Sequence, residues 1–432
     1  MEERKGCFDP QTEMMPVVAR RQFYDRKIRE IIRYAFDRCP GFRAVMEKNR
    51  LVPDEIMGAP DLVKIPILRK TDLPHLQAKN PPFGGFAAKD IRDVKRVFQS
   101  PGPIYEPEGR RPDYWNFAKA LYAAGFRKGD IVINTTSYHL SPLGFMLDEG
   151  LQAIGCVVVP TGPGNTDIQI GIIKGLAVDG YVGTPSFLGI ILKRAEELGV
   201  NIRNESSLKR AFVLAEMLSD SARKEFEDVY GLYVRQAYGT ADIGIISYEC
   251  SEKNGMHIIE DVFVEILDPE TGEPVKTGEP GEVVFTAFNE TYPLIRFATG
   301  DLSILSDEPC PCGRTSSRLL KILGRVGEAT KVRGLFIYPW QVDQVVSRCK
   351  GISRYQLVIT RKDHRDEMVL MVELEDEGID RNLLAEQLRN SIREIMKLRG
   401  EVEFVSAGTI PDKARKIDDR RKWDQHLLFP DS

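Results

Sequence analysis

The sequence predicts an α/β protein in two parts: a large N-terminal domain of parallel strands and helices with a β-rich subdomain, and a smaller C-terminal α/β domain. Three observations point there. From Asp130 to Gly199 strand-like and helical segments alternate, the pattern of a parallel sheet with helices on its faces. From about Met256 to Phe288 short apolar runs are separated by tight turns, as in an antiparallel subdomain. After Arg325 a unit of about a hundred residues begins, a size that folds by itself. With 432 residues, the chain is long enough for two or three domains and a substantial core.

In chain order, Arg20 to Leu51 has Phe23, Ile28, Ile31, Ile32, Ala35 and Phe36 at helical spacing. In LVKIPILRKTDL, the Ile-Pro step and the Lys-Thr-Asp cluster predict an extended segment entering a helix. DIVINTT, CVVVP and DGYVGT read as strands, each followed by a helical stretch. HIIEDVFVEILD and GEVVFTAF read as strands around the turn PETGEP. Pro339 opens an amphipathic helix carrying Val342, Val345 and Val346. A hairpin turning at Lys362 to Glu367, a helix from Leu383 to Met396 and the strand EVEFV follow. The expected domains are 1–325 and 326–432, hinged at Val326 to Glu328, where Gly327 gives the backbone freedom.

Hydrophobic residues make up 42% and charged residues 29%, with a net charge of −4. That balance argues against a nucleic-acid footprint or a basic membrane patch. No apolar run reaches about 20 residues, so no membrane span is expected. MEERKGCFDP lacks the apolar centre of a signal peptide. Seven cysteines in so long a chain form no disulfide framework, and a reducing cytoplasm is expected.

Chemistry concentrates between Pro293 and Pro339. The strand PLIRF runs into ATGD, read as a turn, where Asp301 offers two carboxylate oxygens to a vicinal diol such as a ribose. Arg325 follows Gly324 and is a permanently charged planar donor suited to phosphate or sugar oxygens. Cys250, His257, Cys310 and Cys312 form C-x6-H followed by C-x-C. Their soft ligands suit a structural zinc with no open position.

The order of these pieces, with KTDL, PFGGFAAKDI, PTGPGNT, GTPSF, AYGTADIG and IPDKARKIDDRR, resembles the phenylacetate–CoA ligase branch of the adenylate-forming enzymes over nearly the whole chain. The resemblance implies an ATP-dependent ligase. Its large domain would form an acyl-adenylate from ATP and a carboxylic acid, and coenzyme A would attack after the small domain rotates. It implies that Tyr238 stacks on adenine beside Gly239, that Thr240 donates to the α-phosphate, and that Asp242, where the family more often has Glu, holds magnesium. Glu216 falls in LAEML, which matches the adenine-pocket segment Gly-Ala-Glu-Pro, with Leu214 and Met217 replacing the Gly and the Pro. Lys413 aligns with the lysine brought over the acyl-phosphate, with Lys416 a competitor, in a basic tail to Lys422 read otherwise as a solvated face.

One motif departs. The family's phosphate loop reads roughly SSGTTGKP; the same register here gives Ser100, Pro101, Gly102, Pro103, Ile104, Tyr105, Glu106 and Pro107. Ser100 and Gly102 retain a phosphate-binding role by position, but Pro101 and Pro103 have no N–H to donate. Glu106 replaces the lysine, and a charge pair at about 4 Å with an effective dielectric near 20 is worth on the order of 4 kcal/mol. Three readings stay open at this point: an acid–CoA ligase with an altered loop, an impaired paralogue binding nucleotide or acyl-CoA as a sensor or partner subunit, and an adenylyltransferase that does not use CoA. A homodimer is expected by family analogy alone.

Overall fold

The computed structural model describes residues 3–100, 103–327, 330–332, 335–362, 365–376 and 378–421. Pro101, Gly102, the hinge residue Glu328 and Lys422 lie outside them. The chain divides into two units, Met1–Ile322 and Leu323–Ser432.

A mixed sheet of twelve strands is the spine of the larger unit. Its parallel half runs in the order Val157–Pro160, Ile131–Asn134, Gly180–Gly183, Arg210–Val213 and Tyr233–Thr240. The intervening helices Leu143–Ile154, Thr166–Gly175 and Pro185–Glu197 are those the alternation predicts. Leu188, Ile191, Leu192 and Ala195 on the last of these are buried at helical spacing. Thr184 caps that helix, its side chain accepting from the Phe187 N–H at 3.3 Å.

The β-rich subdomain is not a separate sheet. Tyr233–Thr240 pairs in parallel with Arg210–Val213 along its first half and antiparallel with Gly244–Glu249 along its second. From there the order continues through Met256–Ile258, Arg318–Arg325, Phe297–Ser306, Pro280–Ala287 and Val262–Leu267. The helix Val17–Arg38 buries Ile28, Ile31, Ile32 and Ala35 in the same core cluster as these antiparallel strands.

ATGD is a bulge rather than a turn. Glu282 pairs with Leu302 and Val284 with Ala298, so Thr299–Asp301 stand against Val283 alone. Gly300 has φ +80°, which a side chain would resist. The freed amides find side-chain acceptors: Gly300 N donates to Glu282 Oε1 at 3.2 Å, and Asp301 N to Thr299 Oγ1 at 3.0 Å.

In the smaller unit the hairpin Ile352–Lys362 and Arg365–Leu374 is flanked by two parallel edge strands, Glu401–Phe404 and Ile417–Asp419. Helices Pro339–Ser347 and Arg381–Met396 contribute to its core. The strand Ile417–Asp419 refines the reading of 413–422 as a solvated basic face, on which Lys413, Arg415, Lys416 and Arg420 are exposed. Ile417 is buried, and Arg421 is buried with its guanidinium 2.9 Å from Asp366 and 2.6 Å from Asp419. Among the described basic residues there, Arg421 turns inward to these acids, while Arg420 pairs with Asp418 at the surface. Among the described residues no helix is long and apolar enough to cross a membrane.

Candidate active site

Loops at the carboxyl ends of parallel strands are where α/β sheets bind ligands, and the resemblance places its nucleotide residues on three such ends. Gly180–Gly183 leads into GTPSF, Arg210–Val213 into LAEML, and Tyr233–Thr240 ends in YGT. Leu214 N donates to Gly183 O at 3.1 Å, and the exposed Glu216 accepts from Ser186 N at 3.3 Å, which ties the first two ends together. Leu214 is buried and Met217 is 65% exposed, so the replacements in LAEML face the core and the solvent respectively.

Tyr238 and Asp301 meet across the sheet, the Tyr238 hydroxyl donating to Asp301 Oδ2 at 2.8 Å. Tyr238 is on the switch strand and Asp301 on the bulge. Next to Tyr238, Gly239 packs so closely that a Cβ there would lie 2.4 Å from Gly244 O. Glycine therefore lets the strand fold straight back through Ala241–Ile243.

That turn carries Asp242, fully buried, with Oδ2 accepting from Lys70 Nζ at 2.7 Å. Its other oxygen, Oδ1, and the nearby Thr240 Oγ1 are buried and meet no hydrogen-bond partner among the described residues. A buried carboxylate oxygen and a hydroxyl without partners are unusual in a finished core and fit a site that receives a cation or an anion. Lys70 is a residue of this group that the sequence motifs do not mark as a site residue. Its only signal in the sequence is its place in KTDL, and only pairing of Leu68–Arg69 with Phe297–Ala298 brings it here.

Most of the stretch in phosphate-loop register is a β-hairpin. Arg96–Ser100 pairs with Ile104–Glu108, with Ser100 opposite Ile104. The side-chain amide of Gln77 clamps it, donating to Tyr105 O at 2.9 Å and accepting from Tyr105 N at 2.8 Å. Glu106 is fully buried, accepting from Ser100 N at 3.2 Å and from the Ser100 hydroxyl. Burial pushes the Glu106 carboxyl up to about 8; the Asp242 charge adds to that, while Ser100 and Lys70 pull the other way. Near neutrality Glu106 therefore holds a proton, and the sign reversal read from sequence is muted. Ser100 spends its amide and hydroxyl on this acid.

In the smaller unit Lys413 is exposed and has no ion pair among the described residues. Lys416 lies 3.3 Å from Asp343 and 3.8 Å from the Tyr355 ring centroid. Arg325 ends the strand Arg318–Arg325.

Cys250, His257, Cys310 and Cys312 converge with all four donor atoms within 4.8 Å of one another. Cys250 Sγ is 3.7 Å from Cys310 Sγ, and Cys312 Sγ 3.4 Å from His257 Nε2. Ligands of tetrahedral zinc at about 2.3 Å stand roughly 3.7 Å apart, so the set fits that ion. His257 Nδ1 is 3.4 Å from Ser316 Oγ, a second contact that orients the ring. Nearby, Arg314 Nε bonds Glu13 at 2.7 Å and Tyr248 at 3.1 Å, anchoring the Cys310–Arg314 segment to the N-terminus.

The class that this sheet and site define is the adenylate-forming one. Residues 151–288 match the AMP-binding enzyme family and residues 334–421 the AMP-binding enzyme C-terminal domain. The chain is 32% identical to the phenylacetate–coenzyme A ligase of Thermus thermophilus, over 96% of its own length and 100% of the relative's. With that of Pseudomonas putida it shares 30% over 96% and 98%. Among solved structures, an open conformation of 2-hydroxyisobutyryl-CoA ligase with 2-HIB-AMP and CoA superposes with TM-score 0.85 at 25% identity, covering 95% of this chain and 94% of that one. The chain belongs to the phenylacetate–coenzyme A ligase family, and its activity is AMP-forming acid–CoA ligation through an acyl-adenylate.

Proposed function

We propose that this ligase activates an aromatic or short-chain carboxylic acid at the carboxyl edge of the parallel strands. The meeting of Tyr238 with Asp301, with Thr240 and Asp242 immediately beyond on the same chain segment, carries the reading. Tyr238 and Gly239, with Glu216, form the adenine side, and Asp301 takes the ribose hydroxyls. Thr240 donates to the α-phosphate; by register the resemblance assigns Ser100 and Gly102 to the outer phosphates, although Ser100 is bound to Glu106 and Gly102 lies outside the described residues. Asp242 would hold magnesium, whose chemistry is to neutralise phosphate charge; the buried, unpartnered Oδ1 suits a hard cation.

The resemblance assigns Lys413 to the acyl-phosphate, where a mobile ammonium would stabilise charge building on the transferring oxygens. Lys413 is favoured over Lys416, which is engaged by Asp343 and Tyr355. Arg325, at the end of the strand Arg318–Arg325, would contribute to the nucleotide. Zinc at Cys250, His257, Cys310 and Cys312 would staple the strands structurally, without an open position for substrate. A cytoplasmic homodimer completes the proposal, its subunit count to be read by light scattering.

ATP–pyrophosphate exchange over a panel of aromatic and short-chain acids with magnesium tests this reading. Exchange with one class, followed by CoA-dependent thioester release, is expected; no exchange with any acid overturns it. Elemental analysis is expected to find one zinc per chain, lost together with thermal stability in Cys310→Ser.

A further inference from the structure

We propose that Lys70 supplies the positive charge for the outer phosphates of ATP, in place of the loop lysine whose register holds Glu106. The proposal rests on the ligase reading above and adds a residue to it.

The fold places Lys70 by two fixed points. Leu68 and Arg69 pair in parallel with Phe297 and Ala298, at the start of the bulge that carries Asp301. Arg69 Nη1 then reaches Glu282 at 3.0 Å, the same carboxylate that accepts from Gly300 N. The next side chain, Lys70, goes to Asp242 at 2.7 Å. Its ammonium thus lies in the group that includes Thr240 and Asp242, and its charge acts on Glu106 and Asp242 together.

Within this group Asp242 and Glu106 have no exposed surface, whereas the Lys70 side chain is 25% exposed. The Lys70 side chain reaches solvent, as the two carboxylates do not. A lysine present only to neutralise a buried aspartate would be expected beside a fully satisfied carboxylate. Here Asp242 Oδ1 and Thr240 Oγ1 still lack partners among the described residues. Among the described residues the hairpin offers no cationic substitute: Pro103 has no N–H and Glu106 is bound back to Ser100. Glu106 keeps its proton near neutrality, so it does not cancel the Lys70 charge.

Calorimetry with Mg-ATP and with AMP separates this role from plain neutralisation of Asp242. Lys70→Met is expected to weaken ATP by about tenfold or more while AMP changes by less than about threefold. Lys70→Gln keeps a donor for Asp242 without the charge, and decides the question if the methionine variant does not fold. It should behave like Lys70→Met, and Lys70→Arg like the wild type. Unchanged ATP affinity in Lys70→Gln overturns the assignment, as does a loss shared equally by ATP and AMP. If the wild type binds no ATP and exchanges no pyrophosphate, the ligase reading falls and takes this one with it.

Discussion

At the proposed ribose half of the site, Tyr238 and Asp301 meet across one sheet; at the proposed triphosphate end, Ser100 and Glu106, Lys70, and Asp242 come from three separate segments around two buried acids. The first arrangement needs only strand register and one bulge. The second depends on a hairpin, on the short strand at Leu68–Arg69 and on a proton held by Glu106. A register-bound half tolerates little change in its motif residues. An end assembled from several segments can lose one charged residue and draw the charge from elsewhere.

Asp301→Ala should give the largest effect. Losing charge-assisted hydrogen bonds to two hydroxyls is expected to weaken AMP and ATP together by about a hundredfold. Calorimetry with both ligands checks it, and an unchanged AMP affinity would remove Asp301 from the ribose. Asp242→Asn should act at the other end only. Pyrophosphate exchange is expected to fall by about tenfold or more, with AMP binding within about threefold. Equal losses of both would mean that the two halves are not separable.

Asp301 was legible as a candidate from its own carboxylate chemistry and Tyr238 through the resemblance of AYGTADIG, whereas the meeting of their side chains depends on sheet register. The alternation from Asp130 to Gly199 was legible because period and turn residues are local signals. Cys250, His257, Cys310 and Cys312 were legible from ligand chemistry despite their separation. Lys70 was not, since its place is set by pairing with Phe297–Ala298, far along the chain. Nor was the burial of Glu106, which turns an apparent repulsion into a protonated core acid. The strand Ile417–Asp419 was hidden because two of its three residues are Asp and Lys416 and Arg420 flank it, and its pairing with Leu357–Ile359 overrides composition.

Glu106→Gln should shift behaviour with pH. The folded-state pKa is raised, so between its ordinary value and about 8 the folded chain holds a proton that the unfolded chain has released. Stability therefore falls as pH rises through that window and levels off above it. The glutamine variant should melt like the wild type near about pH 4 and a few degrees higher near about pH 9. ATP affinity of the wild type, measured by calorimetry, should drop several-fold from about pH 7 to about pH 9, and that of the variant should stay flat. A parallel drop in both would locate the titration outside Glu106.

Tyr238→Phe should change least, and it tests whether the ribose half is fixed by register alone. The substitution keeps the ring for adenine and removes the hydroxyl that donates to Asp301 Oδ2 at 2.8 Å. One hydrogen bond to a charged group is worth about 1.5–3 kcal/mol when it is lost outright. On the proposed ribose role of Asp301, the ribose hydroxyls would replace the donor once nucleotide binds, so the loss would fall mainly on the free protein. AMP affinity is expected to stay within about threefold of wild type, on the tight side if the tyrosine hydroxyl competes for the carboxylate. A loss as large as that of Asp301→Ala would show that Tyr238 positions Asp301, and the ribose half would then depend on a side-chain network much as the triphosphate end does.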